Sequence, residues 1–267
     1  AGGHNIFLHG PPGSGKTMMT RALPGILPKL TEAEAIEVTK IYSITGNTTS
    51  TNTLITKRPF RSPHHTPSRI GLIGGGSKPQ PGEISLAHRG VLFMDEFPEF
   101  PRSVLESLRQ PIEDSIVQIS RAAGTMCFPA QFILIAAANL CPCGNKGSTR
   151  KICTCLPGQI QKYQKKTGPI LDRIDLHVEV PAVSIEKLSQ IQPAESSQQI
   201  RLCVQQARDL QAKRYQQTSL TCNAELNSRQ IKDFCKLPET AKQLLNKATD
   251  SMNLSARSYH KIIKLAQ

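Results

Sequence analysis

Residues 10–17 read Gly-Pro-Pro-Gly-Ser-Gly-Lys-Thr. A glycine, four residues and then Gly15-Lys16-Thr17 is a spacing that suits phosphate. In such a loop Gly10, Pro11, Pro12, Gly13, Ser14 and Gly15 curl the backbone so that its N–H groups face the anion. Lys16 then reaches the β- and γ-phosphates, and the Thr17 hydroxyl ligates Mg²⁺. Residues 91–97 read Val-Leu-Phe-Met-Asp-Glu-Phe, two carboxylates at the end of an apolar run. Asp95 suits a Mg²⁺ ligand. Glu96 is free to orient or deprotonate an attacking water, which a hydrolytic enzyme needs; a solvated acidic turn would carry the same residues. Asn139 closes the run ILIAAAN. Its amide could hold that water in line with the γ-phosphate, or cap a turn. Arg173, within LDRID at Leu171–Asp175, offers a cation for charge on the transferring phosphoryl group, or a local ion pair with a flanking Asp. Arg257, at a helix start in Ser255–Ser258, offers a second cation.

The chain holds eight cysteines; a protein without a secretory signal is expected, which favours metal binding or free thiols over a disulfide framework. Cys141-Pro-Cys143 and Cys153-Thr-Cys155 are two C-x-C pairs with nine residues between them. Four thiolates would complete a tetrahedral zinc site and staple a loop that has no core of its own. The spacing is tighter than the common C-x₂₋₄-C form, and four reduced thiols beside a turn is the alternative. Cys127, Cys203, Cys222 and Cys235 are dispersed and read as packing residues. His64-His65 lies on a segment read as extended, where neighbours point to opposite sides, so the pair is not assigned a shared metal.

These residues need elements to hold them. Ile6-Phe7-Leu8 is an apolar run that ends in the phosphate loop, and Met18–Leu23 follows with helical composition: strand, loop, helix. Val91–Met94 and Ile133–Ala138 are continuous apolar runs of the kind that form strands buried on both faces of a parallel sheet. Arg102–Glu113 reads as one helix between them. The alternation gives an α/β class. After Val180-Pro181 the texture turns to Gln, Lys, Glu and Leu at helical spacing, with helices expected over Gln198–Gln217, Ala241–Ala248 and Ala256–Ala266. The expected organisation is an α/β domain over residues 1–182 and a small all-α domain over 183–267. Two hairpins, or ordinary surface turns, are expected within the first: Gly74–Gly82 and Ile116–Phe128.

The 267 residues carry 33 Lys and Arg against 20 Asp and Glu, a formal charge of +13. That surplus favours a polyanionic partner, nucleic acid above all, although a basic fragment of a more balanced protein would look the same. No apolar run approaches the ~18 residues of a membrane span, and a cytoplasmic protein is expected.

In order along the chain stand the phosphate loop, the Asp-Glu strand end, the Asn strand end, the LDR segment and Ser-Ala-Arg in a helical region. That order resembles the AAA+ ATPases. PFRSPHHT at Pro59–Thr66, PGEISLAHRGVLFMDEF at Pro81–Phe97, CPCG at Cys141–Gly144 and GPILDRIDLHVEV at Gly168–Val180 resemble the magnesium-chelatase-like branch, and within it the ComM/YifB group of bacterial proteins. The resemblance implies a P-loop parallel sheet sandwiched by helices and followed by a helical lid. It also implies a hexameric ring that hydrolyses ATP with Mg²⁺ at subunit interfaces. It makes Asn139 the sensor-1 residue, Arg173 an arginine finger acting on the neighbour's ATP, and Arg257 the sensor-2 arginine. It makes Gly74–Gly82 an insertion in the second helix and Ile116–Phe128 a hairpin before sensor 1, both facing a central pore. His64-His65 is read as structural or near such a pore. It implies a motor for branch migration of single-stranded and branched DNA in natural transformation. Lys78 and Arg121, on the two hairpins, are the candidate DNA phosphate contacts. Relatives in the group carry an N-terminal domain resembling part of the Lon protease, so a motor fragment is expected, with its lid cut short at the C-terminus.

Three rival readings share the core. A metal-chelatase motor fits the charge and the C-x-C pairs poorly. A protein remodeller usually grips polypeptide with an aromatic pore residue, which neither hairpin supplies. A nucleotide-regulated assembly module has no need of Glu96.

Overall fold

Apolar runs without alternation become strands covered on both sides. The structure, a computed structural model, describes residues 1–46, 54–76, 79–121, 124–148, 151–182 and 195–267. The chain divides into two compact units, Asn5–Arg201 and Ala1–His4 with Leu202–Gln267. The boundary expected at 182/183 falls at the edge of residues 183–194, which lie outside the described ones.

In the first unit, β1 (Ile6–His9), β2 (Phe60–Arg61), β5 (Val91–Met94), β8 (Ile133–Ala138) and β9 (Leu176–Glu179) form a parallel sheet in the order β2-β5-β8-β1-β9. Along β5, Leu92 and Met94 face one cluster and Val91 and Phe93 the other. Along β8, Leu134, Ala136 and Ala138 alternate in the same way with Ile135 and Ala137. The period of two places each strand in both cores. One face packs against α3 (Arg69–Ile73), α4 (Glu83–Leu86), α5 (Arg102–Ser107) and α8 (Gly168–Leu171) through Leu72, Ile84, Leu105 and Ile170. The other meets Leu23 and Leu27, just after α1 (Lys16–Ala22).

Among the described residues, antiparallel pairs depart from this sheet at two places. β3 (Gly74–Gly75) and β4 (Gln80–Pro81) pair between α3 and α4, so a hairpin separates two helical segments. Gly74 turns the chain out of α3 at φ 104°, a conformation open to glycine. β6 (Ile116–Arg121) and β7 (Gly124–Pro129) pair from Ile116↔Pro129 to Arg121↔Gly124. Val117, Ile119 and Phe128 of this ribbon are buried in the first core.

The helix expected over Arg102–Glu113 is two helices, α5 and α6 (Arg109–Asp114), meeting at Leu108. Pro111 has no N–H for the Ser107 carbonyl, and its ring crowds that carbonyl. The first unit also contains α2 (Glu32–Ile44), begun by a capping box between Thr31 and Glu34, and α7 (Pro157–Lys165).

The second unit is helical. α9 (Ser197–Tyr215), which enters this unit at Leu202, α10 (Ser228–Phe234), α11 (Glu239–Ser251) and α12 (Ala256–Ala266) supply Tyr215, Ile231, Leu245 and Ile263 to a core that also takes in Leu226, just before α10. Tyr215 is buried with its hydroxyl donating to Asn223 Oδ1 at 2.9 Å, so the ring packs without stranding a polar atom. Of the four dispersed cysteines, Cys222 and Cys235 are buried, but Cys127 and Cys203 are exposed and do not pack.

Candidate nucleotide-binding site

In a parallel sheet all carboxyl ends open on one edge, the usual place for a ligand in α/β folds. β1, β8 and β5 are consecutive in the sheet, so the residues that follow them become neighbours. After β1, Gly13 (φ 73°) and Gly15 (φ 90°) turn the loop back into α1. Lys16 is buried, with Nζ donating to the carbonyls of Gly10 at 2.9 Å and Pro11 at 2.8 Å. Asn139 Oδ1, at the end of β8, is 3.4 Å from the same ammonium. Burial lowers the Lys16 pKa, opposed by the charge of Asp95. A group with that cost of desolvation gains most from a phosphate oxygen.

Thr17 Oγ1 donates to Asp95 Oδ2 at 2.7 Å. This bond joins the start of α1 to the end of β5 across the strand between them, and places hydroxyl and carboxylate where one hard cation could be shared. Asp95 Oδ1 accepts the Glu96 N–H at 2.9 Å, and Glu96 itself is left-handed, with φ 51°. Its side chain is not free: His65 Nδ1 lies 3.0 Å from Glu96 Oε2.

His65 is the residue that sequence reasoning missed. The segment read as extended bends at His65 and Thr66, so the two imidazoles do not point apart. They lie against each other, with ring centres 4.1 Å apart and planes tilted by 32°, and His64 Nδ1 meets Thr66 Oγ1 at 2.9 Å. β2 is the strand beside β5, which brings the residues after it to Glu96. Arg61 fixes that strand by a two-pronged bond to Glu83 of α4, both contacts 2.6 Å.

Arg173 pairs through Nε with Glu113 Oε1 at 2.9 Å and donates from Nη1 to the Pro169 carbonyl at 2.6 Å. Its ion partner is therefore on α6, not a flanking Asp. Arg257 stands in the first turn of α12 in the second unit, behind the Ser255 cap. Lys78 lies outside the described residues, and Arg121 closes β6 opposite Gly124.

The four cysteines of the C-x-C pairs converge, all Sγ atoms lying within 4.8 Å of one another. Cys141–Cys143 is 3.4 Å, and Cys143–Cys153 and Cys141–Cys153 are each 3.7 Å. Zinc with four thiolates at about 2.3 Å needs S···S edges of about 3.8 Å, so this donor set fits. The Asn145 backbone N–H draws the Cys143 thiol down to about 6. Cys155, despite the N–H of Cys143, is pushed up to about 12 by the Cys143 thiol beside it.

The profile described as "Magnesium chelatase, subunit ChlI" matches residues 1–188, and that of the "Magnesium chelatase, subunit ChlI C-terminal" matches residues 194–267. The chain belongs to the magnesium chelatase ChlI family. It is a member of the AAA+ ATPases, with the family's α/β sheet domain and helical C-terminal region. Within that family it is 44% identical to "Competence protein ComM" of Haemophilus influenzae over 269 aligned residues. It is 43% identical to the uncharacterized protein YifB of Escherichia coli and 41% to that of Salmonella typhimurium. Each alignment covers 100% of this chain and 52% of the relative, so the chain spans about half the length of these relatives. The match to the ComM/YifB group is the one that the motifs indicate. Among the described residues no helix is long and apolar enough to cross a membrane.

Proposed function

We propose that the chain is the ATP-hydrolysing motor of a homohexameric ring that acts on single-stranded and branched DNA as a branch-migration helicase or translocase. The observation that carries the ATPase part is the Thr17–Asp95 bond of 2.7 Å beside Lys16, Asn139 and Glu96. Thr17 and Asp95 would hold Mg²⁺, which would supply charge neutralisation for phosphoryl transfer. Lys16 would pair with the phosphates, Glu96 would take the proton of the attacking water, and Asn139 would orient that water. Arg173 and Arg257 act on the nucleotide, Arg173 from the neighbouring subunit. The four-cysteine loop holds zinc as a structural cofactor. The net charge of +13 and the likeness to a competence protein support DNA as the partner, and the cytoplasm as the compartment.

The test is ATP hydrolysis with and without single-stranded and branched DNA at two salt concentrations, with Glu96→Gln as control. Stimulation that fades with salt is expected for a motor bound through phosphates. Glu96→Gln should bind ATP and lose about 10²–10⁴-fold in turnover. Hydrolysis indifferent to DNA in the full-length protein would instead favour the chelatase-type motor that the family description suggests, or a protein remodeller.

A further inference from the structure

Asn139 and Cys141 are separated only by Leu140. The four-cysteine loop therefore leaves the sheet at the same strand end that presents the Asn139 amide. It then comes back against the phosphate loop. Gly144, at φ 78°, stands at that contact: a Cβ there would lie 3.4 Å from Pro12 Cγ and 3.8 Å from Asn139 Nδ2. The left-handed turn favours glycine, and the position lies within van der Waals reach of the phosphate loop.

Among the described residues, the large apolar side chains at the far side of this loop do not pack. Ile152 is 89% exposed and Leu156 68% exposed, on either side of the second C-x-C pair. Thiols converge there instead. The Cys141 and Cys143 Sγ atoms, 3.4 Å apart, are far beyond the ~2.05 Å of a disulfide and close to the edge of a metal tetrahedron. Cys141 is buried, and its Sγ accepts the Lys146 N–H at 3.3 Å. Such outer bonds orient metal-bound ligands.

We propose that zinc held by Cys141, Cys143, Cys153 and Cys155 braces the nucleotide site. The metal fixes the turn at 141–147 against Pro12 and Asn139, and so shapes the phosphate loop before nucleotide arrives. The inference rests on the reading of residues 10–17 as a nucleotide site. Without metal, nucleotide binding must itself order the turn, and that ordering is subtracted from affinity. The coupling is reciprocal, so nucleotide tightens the hold on zinc by the same factor.

The experiment uses the full-length protein purified without chelators. Zinc content is measured, and cobalt(II) is substituted so that its thiolate charge-transfer bands report the ligand set. Affinity for a fluorescent ADP analogue is then measured at constant free Mg²⁺ with zinc loaded, with zinc stripped, and with zinc restored. Stoichiometric zinc is expected, with a loss of about tenfold in affinity on stripping, within the usual range for coupled sites. Zinc alone should restore it, and saturating ADP should weaken zinc transfer to a competing chelator by the same factor. Cys153→Ser should resemble the stripped protein, with circular dichroism showing the sheet intact. Protein that takes up neither zinc nor cobalt overturns the metal site. Stoichiometric zinc whose removal leaves ADP affinity unchanged overturns the brace. Zinc-loaded protein with a thiolate–cobalt spectrum but no ADP binding overturns the nucleotide reading itself, a separate failure.

Discussion

His65 Nδ1 is 3.0 Å from Glu96 Oε2, the carboxylate proposed to take a proton from water. The imidazole is itself backed by the His64 ring. A base aimed by a neighbour loses rate when the neighbour is removed, because small misplacements are costly in turnover. His65→Ala is expected to lower kcat by about ten- to a hundredfold, with nucleotide affinity kept. Steady-state kinetics beside equilibrium nucleotide binding checks this; equal loss in both would make His65 a folding residue only.

The Thr17–Asp95 bond predicts a Mg²⁺-specific defect. Asp95→Asn keeps the shape of the side chain but removes the charge that a hard cation needs. Nucleotide binding in EDTA should be close to that of the unaltered protein, and the tightening on adding Mg²⁺ should be lost. Isothermal titration with and without Mg²⁺ reads the difference.

Arg173 is held by Glu113 on α6, and its proposed target is the nucleotide of a neighbour. Arg173→Ala should bind nucleotide normally and lose about 10³-fold or more in turnover. Mixed with Glu96→Gln subunits, it should regain hydrolysis at interfaces that combine an intact Glu96 with an intact Arg173. Two inactive proteins that stay inactive when mixed, while still assembling together, would rule out action across the interface.

Lys78→Glu with Arg121→Glu tests the hairpins as DNA-binding elements. Every phosphate that goes unneutralised in the variant should reduce the slope of log affinity against log salt by about 0.7–0.9. Fluorescence anisotropy on labelled single strands at several salt concentrations measures it. An unaltered slope would remove both residues from the interface.

Acid sensitivity is expected from the support behind β5. His88 is buried, accepts the Gln131 N–H on Nδ1 at 3.1 Å and meets Glu37 through Nε2 at 3.2 Å. Burial lowers its pKa below the ordinary 6.5, outweighing the Glu37 contact. As pH falls through 6.5 the unfolded chain takes the proton first, so stability falls. Glu37 is lowered from 4.5 chiefly by its bond to Arg89, and its contribution is lost as pH falls below that value. Thermal melts from pH 7.5 to 4 should show a falling midpoint, and His88→Gln should flatten the upper part of that slope.

Short-range signals were legible in the sequence. The phosphate loop is eight consecutive residues, and its spacing is its chemistry. β5 and β8 follow their apolar runs, and α12 runs from Ala256 to Ala266 as its helical pattern indicates. The break at Leu108 was available in Pro111, but the apolar spacing around it masked it.

What the sequence by itself determined is which groups are present and how each local stretch bends: a phosphate loop, two carboxylates at a strand end, four paired thiols. Which groups meet was decided by the tertiary structure. The strand order β2-β5-β8-β1-β9 sets β2 beside β5, and so His65 against Glu96; a different order with the same strands would part them. Packing of the segment after α8 near α6 gives Arg173 its partner in Glu113, where adjacent Asp residues stood nearer in sequence. The physical reason is the same in each case. Backbone preferences act over a few residues, whereas these contacts follow from how buried strands and helices close over two shared apolar cores.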